Sequence, residues 1–345
     1  MPSVKTLVQS QDLKSLPSDY AHFSNSDKST VAGPEVSLPV IDFSLLSSTN
    51  PDERAKVIQD LRNACGEWGF FMLVNHGIPE NLINRLFKTC NDFFDMPEKE
   101  KLKFETTNPR FPVMVRSGST TCDVSNQKVL FWRDYLRFFV HPEFYCPNKP
   151  TEFSDLVSEY SQRTRDVNRK LLQGISQSLG LEEDYIEKAM DLKSGTQIFA
   201  ANYYPPCPQP ESAIGIPPHT DHGLLTFLIQ NGVGGLEIQH KGKWFYVNAL
   251  PNSIFINTGD QLEILSNGKY KSVWHRAVVN NKKTRISLVI PNGPSPDTIV
   301  SPAAPLLRET PAAYAPMNYM EYVNVQRTTR LNEKPILDRL KLHWL

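Results

Sequence analysis

The sequence predicts an α+β protein with a predominantly β core, on three observations. Helical periodicity is concentrated in the first half of the chain and returns only near its end. From Gln197 to about Ile290, short apolar runs alternate with Gly, Asn and Pro, the punctuation of barrel sequence. Within that stretch, side chains able to ligate a metal stand at His219 and Asp221 and again at His275, 54 residues beyond Asp221. Bringing them together requires distant strands to meet. A distorted double-stranded β-helix, or jelly roll, flanked by N-terminal and C-terminal helices does this.

The elements follow in order. Residues 1–36 are polar and rich in Ser, Asp and Lys, an N-terminal extension expected to order only by packing on the body. Leu38-Pro-Val-Ile-Asp-Phe43 reads as a short strand. Val57, Ile58, Leu61, Ala64 and Cys65 mark a helix over about 52–68, and 69–74 switches to a buried strand closed by Asn75-His76-Gly77-Ile78-Pro79. Leu82, Ile83, Leu86, Phe87, Cys90, Phe93 and Phe94 form one face of a helix that stops before Met96-Pro97, because proline restricts its predecessor. The stretch 110–149 reads as loop except for a strand over 131–139. A long helix from about Ser154 turns Leu156, Tyr160, Val167, Leu171, Leu172, Ile175 and Leu179 inward and is capped at Gly180. A shorter helix fits 182–190. Asn231-Gly-Val-Gly-Gly235 and Asn267-Gly268 are turn candidates with positive φ. Beyond Pro291 a proline-rich tract leads to a helix around 313–328. The chain thus divides into the extension and one domain over 37–345. Its parts are a helix-rich region of about 37–195, a metal-binding jelly-roll core of about 196–292 and a C-terminal helical segment of about 293–345.

Bulk properties exclude several function classes. A chain of 345 residues, 40% hydrophobic, suits one large barrel with helical additions. Basic and acidic residues balance at 37 each, so no overall field draws the protein to nucleic acid or an anionic membrane. The five cysteines (Cys65, Cys90, Cys122, Cys146 and Cys207) are odd in number and contain no Cys-x-x-Cys pair. That pattern fits a reducing compartment better than a disulfide framework or structural zinc. No apolar signal core opens the chain, and no run of about eighteen apolar residues occurs in it. The expectation is a cytoplasmic monomer acting on a small molecule, without a nucleic acid or membrane partner.

Two imidazoles and a carboxylate, as His219, Asp221 and His275 offer, are the ligand set that holds ferrous iron on one face and leaves other positions open for oxygen and a substrate. Structural zinc, by contrast, takes four protein ligands. His219 and Asp221 lie two apart, which on a strand sends both side chains to one face. Arg285 follows His275 by ten residues within an apolar strand (Ile286, Leu288, Val289 and Ile290), and Ser287 shares its face. A buried guanidinium requires an anion, and an arginine fork beside a hydroxyl suits a carboxylate. His222 faces away from Asp221, His76 reads as structural, and His240, beside Lys241-Gly242 at a hairpin tip, reads as solvated. Phe131, Tyr135 and Phe139 recur with period four on a strand face that also carries Arg137. Such a face is either plain core with a surface charge or a pocket for a planar, hydroxylated or carboxylated small molecule. Phe111, Met114 and Arg116 are further pocket candidates.

His219-x-Asp221, a long gap, His275 and Arg285-x-Ser287 together resemble the plant 2-oxoglutarate/Fe(II)-dependent oxygenase superfamily. Asn202-Tyr-Tyr204-Pro-Pro-Cys-Pro, Asn257-Thr-Gly-Asp260 with Leu262, Trp68-Gly-Phe-Phe and Asn75-His76-Gly77 are similar to motifs of that family. They stand in the family's order from Leu38 to beyond Pro291. The resemblance implies Fe(II) on His219, Asp221 and His275. It also implies 2-oxoglutarate clamped by Arg285 and Ser287 with Tyr204 and Asn202 beside it, O2 as oxidant and ascorbate as reductant. The implied enzyme is a 2-oxoglutarate-dependent dioxygenase of plant specialised metabolism. It would hydroxylate, desaturate or demethylate a small aromatic or terpenoid-like metabolite, releasing succinate and CO2. Two alternatives stay open: an ascorbate-dependent iron oxidase of the ethylene-forming type, which keeps the Arg-x-Ser pair, and a non-catalytic ligand-binding relative.

Overall fold

In the computed structural model, which describes residues 3–10, 13–21, 36–106, 113–124, 127–308, 310–328 and 336–342, the stretch after Arg285 shows how sequence builds layers. Ile286, Leu288 and Ile290 are buried in the main hydrophobic core, which also contains residues of the long helix, while Arg285 and Ser287 leave the opposite face. Strict alternation along a strand separates an apolar face from a chemical one.

In chain order the strands are β1 (Val40–Asp42), β2 (Phe70–Val74), β3 (Met114–Val124), β4 (Gln127–His141) and β5 (Thr196–Tyr204). Next come β6 (Ile216–His219), β7 (Leu225–Gln230), β8 (Leu236–His240), β9 (Lys243–Val247) and β10 (Ile254–Thr258). The last are β11 (His275–Ala277), β12 (Arg285–Gly293), β13 (Ile299–Val300) and β14 (Met317–Asn318). An eight-stranded sheet has the order β1-β2-β10-β7-β12-β5-β4-β3, and a four-stranded sheet has the order β6-β11-β8-β9. One apolar cluster joins the two: Phe70, Met72 and Phe255 of the larger sheet pack with Leu236, Ile238 and Val247 of the smaller. The two layers of the predicted double-stranded β-helix therefore meet at this cluster, as in a sandwich.

The helices are α1 (Val4–Gln9), α2 (Pro51–Asn63), α3 (Glu80–Asp95), α4 (Glu98–Leu102), α5 (Phe153–Ser178), α6 (Tyr185–Ala189), α7 (Asp260–Leu265), α8 (Tyr319–Thr328) and α9 (Ile336–Leu340). α2, α3 and α5 cover the outer face of the larger sheet, burying Leu61, Phe93, Leu156, Val157, Leu171 and Ile175 against Phe138, Phe199 and Phe227. Gly180, with φ of 76°, takes the left-handed turn just past α5 that a side chain would resist. Phe199 is fully buried, stacked on Phe138 at 5.3 Å and edge-on to Phe153 at 6.1 Å. Phe199→Ala is expected to cost about 3–5 kcal/mol of stability, read as a lower midpoint in denaturant unfolding.

Several expectations need correction. The stretch 110–149, read as loop around one strand, contains the paired strands β3 and β4. The polar run Ser117-Gly-Ser-Thr-Thr carries no apolar alternation to announce β3, which is recruited by its partner at the sheet edge. The helix expected over 313–328 begins only at Tyr319, because Pro316 disfavours helix in the residue before it and β14 intervenes. The helix expected over 182–190 is confined to Tyr185–Ala189. His240 is not simply solvated: its ring stacks on Trp68 at 4.0 Å and 8°. His76 is structural, its Nδ1 accepting the Ile78 N–H at 3.1 Å.

The N-terminal segment packs on β4. Asp134, buried on the outer face, accepts the amide hydrogens of Val4 and Lys5 at 2.9 Å each. Val4, Leu16 and Tyr20 cluster with Trp132. No helix among the described residues is long and apolar enough to cross a membrane.

Candidate active site

β6 and β11 are neighbours in the smaller sheet with His219 paired to His275, so the two imidazoles project together, ring centroids 4.2 Å apart. Asp221 is not on a strand, contrary to the sequence expectation. β6 ends at His219, and the chain turns before entering β7. Backbone bonds pin this turn: Asp260 N–H donates to Asp221 O at 2.8 Å and Gln261 N–H to Gly223 O at 3.0 Å. The Asp221 carboxylate oxygen then lies 3.8 Å from His219 Nε2 and 3.7 Å from His275 Nε2.

Each imidazole has its tautomer set. The Nδ1–H of His219 donates to Pro217 O at 2.8 Å, and that of His275 to Val273 O at 3.1 Å. A carbonyl can only accept, so both Nε2 lone pairs remain for a ligand. The second Asp221 oxygen accepts from Asn257 Nδ2 at 2.8 Å. Burial, reinforced by His275, pushes His219 down to about 3. Burial alone would raise Asp221, but the two imidazoles and the Thr226 and Asn257 hydrogen bonds hold its carboxyl well below the usual carboxylate range. One ligand atom from each of the three residues lies within 4.8 Å of the others. Two neutral imidazoles and an ionised carboxylate on one side fit a ferrous ion with open positions.

Arg285 and Ser287 enter from β12. Arg285 pairs in register with Tyr204, and Ser287 lies between Asn202 of β5 and Gln230 of β7. The four polar residues Arg285, Ser287, Tyr204 and Asn202 are thus drawn onto one patch of the inner face. Arg285 is 1% exposed, and its guanidinium stands 5.0 Å from the centroid of the Tyr204 ring. Its Nε and Nη2 donate to Gln230 Oε1 at 3.3 and 3.2 Å, but Nη1 has no hydrogen-bond partner among the described residues. No described carboxylate pairs with it. Burial pushes its pKa down, opposed by Tyr204. A buried cation with a spare donor and no acid is a site for an anion.

β4 continues this face. Tyr135 pairs with Asn202, and Arg137 with Ala200 one row further on. Alternation sends Phe131, Arg133, Tyr135, Arg137 and Phe139 to the same side. Phe131 is buried there, and Tyr135 and Arg137 are half-buried. Phe139 instead packs with Ile198 and Tyr145 in a small cluster of its own. Met114 pairs with Arg137, whereas Phe111 and the Arg116 side chain lie outside the described residues. Arg133 was missed in the sequence. It donates to Asn202 Oδ1 at 3.1 Å and lies 4.7 Å from the Tyr135 ring centroid. Period-two alternation from Tyr135 would have found it. Asn257, noticed only as part of a motif, likewise proves to hold Asp221.

Comparison with known proteins decides the family. The 2OG-Fe(II) oxygenase superfamily matches residues 195–294, and the non-haem dioxygenase in morphine synthesis N-terminal family matches residues 38–158. The chain is 40% identical over 313 residues to 2-oxoglutarate-dependent dioxygenase 19 of Oryza sativa subsp. japonica, covering 90% of this chain and 92% of that protein. It belongs to the 2OG-Fe(II) oxygenase superfamily. Leucoanthocyanidin dioxygenase of Malus domestica is 36% identical over 84% of this oxygenase and 83% of its own length. The crystal structure of JOX2 in complex with 2OG, Fe and JA superposes with a TM-score of 0.85 at 29% identity, covering 99% of this chain and 98% of that one. The protein is a 2-oxoglutarate- and Fe(II)-dependent dioxygenase on a double-stranded β-helix.

Proposed function

We propose that this dioxygenase holds Fe(II) on His219, Asp221 and His275 and binds the distal carboxylate of 2-oxoglutarate at Arg285 and Ser287. The observation that carries the reading is that Nη1 of the buried Arg285 guanidinium has no hydrogen-bond partner among the described residues. When bound, Fe(II) and 2-oxoglutarate supply the oxidising chemistry: O2 is consumed, 2-oxoglutarate leaves as succinate and CO2, and one oxygen atom is available to the substrate. Ascorbate serves as the reductant that keeps iron ferrous.

The chain contributes orientation and dryness. Tyr204 backs the guanidinium, and Arg133 fixes the oxygen of Asn202, leaving its amide group to donate. Phe70, edge-on to His275 at 5.3 Å, and the apolar cluster around it exclude water from one side of the metal position. The substrate lies along Phe131, Tyr135 and Arg137, with Phe139 at the end of the strip. Aromatic surfaces interleaved with guanidinium groups favour a planar metabolite bearing a carboxylate or phenolic hydroxyl over an uncharged terpenoid. The free thiols of Cys65, Cys90, Cys146 and Cys207 are in keeping with a reducing, cytoplasmic setting.

Coupled turnover tests this reading. Aromatic acids and phenols are expected to give succinate and an oxidised product in equal amounts. Coupling with apolar terpenoids alone would overturn the substrate class, and turnover with ascorbate but without succinate would overturn the co-substrate.

Gly235 provides a further check. Its φ of 145° suits glycine, and an added Cβ would stand 2.9 Å from Arg285 Cδ. Gly235→Ala is expected to weaken 2-oxoglutarate binding by about 1–3 kcal/mol, seen as a raised KM. Gly232→Ala, at an equally left-handed position with open space around it, should leave that KM unchanged.

A further inference from the structure

Two carboxylates are buried on α7, Asp260 and Glu263, although a helix of six residues needs neither for its own hydrogen bonds. Each links one tyrosine of the C-terminal segment to one of the turns that carry the proposed iron ligands. Asp260 Oδ2 accepts from Tyr322 of α8 at 2.8 Å and from Thr220, the residue between His219 and Asp221, at 3.3 Å. Glu263 Oε1 accepts from Tyr314 at 2.6 Å. Its Oε2 accepts the amide hydrogen of Ser272 at 2.6 Å, at the start of the turn whose Val273 carbonyl orients His275. The four side chains Asp260, Glu263, Tyr314 and Tyr322 are all buried, so no water replaces a missing hydroxyl at once.

We propose that the C-terminal segment positions the metal ligands: Tyr322, through Asp260, sets the His219–Asp221 turn, and Tyr314, through Glu263, sets the turn before His275. The proposal rests on the reading that these three residues hold iron. Without its tyrosine hydroxyl, each buried carboxyl loses one of its donors and the turn it governs loosens before metal arrives. Iron must then order that turn from its own binding free energy. By linkage, bound iron in turn tightens the docking of α8.

The test compares Tyr322→Phe, Tyr314→Phe and the double variant with the wild type, using full-length protein. Tyr160→Phe serves as control, since the buried Tyr160 hydroxyl has no hydrogen-bond partner among the described residues. Backbone hydrogen exchange is followed without metal, and Fe(II) affinity is measured anaerobically with 2-oxoglutarate present. Tyr322→Phe is expected to speed exchange selectively in 217–224, and Tyr314→Phe selectively in 270–276. Each should weaken Fe(II) binding roughly tenfold, about the worth of one buried hydrogen bond. Wild-type exchange and affinity in both variants would overturn the proposal, as would acceleration spread evenly over the chain. If wild-type protein takes up no Fe(II), the iron reading itself fails and the proposal falls with it. If only the variants match a wild type that does take it up, the proposal alone falls.

Discussion

Asp221→Ala is expected to abolish Fe(II) uptake and lower turnover by roughly a thousandfold or more, with the fold intact by circular dichroism. Loss of an outer partner of a metal ligand typically costs 10–100-fold, and the loss of a ligand exceeds that. Asn257→Ala, which removes the 2.8 Å hydrogen bond to Asp221 and leaves the three ligands, belongs in that milder range. The two variants should therefore separate clearly in an anaerobic metal-binding assay. Comparable losses in both would mean that Asp221 is not a ligand. Because Asp221 forms no strand ladder and sits in a turn held by backbone bonds from Asp260 and Gln261, its removal leaves the sheet pairing undisturbed.

Arg285→Met is expected to act with opposite signs on co-substrate binding and on stability. Truncating one side of a buried, hydrogen-bonded charge pair costs about 2–5 kcal/mol, so the KM for 2-oxoglutarate should rise on the order of a hundredfold. In the absence of ligand the same residue is a buried cation without an acid among the described residues. Replacing it by an apolar side chain of similar length should leave the metal-free protein as stable as before or more so. Thermal melting with and without 2-oxoglutarate reads both effects: the variant melts no lower than wild type alone but gains no protection from the co-substrate. A variant that is destabilised without ligand would mean that the hydrogen bonds to Gln230 and the contact with Tyr204 outweigh the cost of burying the cation. Arg285→Lys should not restore binding fully, since an ammonium lacks the fork that meets a carboxylate with two parallel bonds.

The arrangement of the candidate site is legible where it is written locally. Arg285-x-Ser287 and Asn202-x-Tyr204 each present their side chains to one face by strand alternation, and the register of β5 with β12 then sets them side by side. The helices were equally readable where apolar residues recur on one face, as in α3 and α5. Expectations failed where long-range partners decide. The His219–Asp221 spacing implies a strand, whereas Asp260, 39 residues beyond Asp221, shapes the turn that carries it. β3 lacks an apolar pattern and exists through its pairing with β4. His240 does stand at a hairpin tip, but it is not simply solvated, because Trp68, far earlier in the chain, stacks on it. The contacts of Tyr314 and Tyr322 with α7 span 51 and 62 residues and leave no local signal. Arg133 is the exception, a residue that simple alternation could have found.

The most direct test of the central claim is an anaerobic titration of the purified protein with Fe(II) and then 2-oxoglutarate, followed by the weak visible charge-transfer absorption of the chelated pair. A band is expected in wild type that saturates with one 2-oxoglutarate per iron, is absent in His219→Ala, and in Arg285→Met requires far more 2-oxoglutarate to develop. A protein that takes up Fe(II) but never develops the band contradicts the co-substrate assignment, and one that takes up no Fe(II) contradicts the assignment of His219, Asp221 and His275.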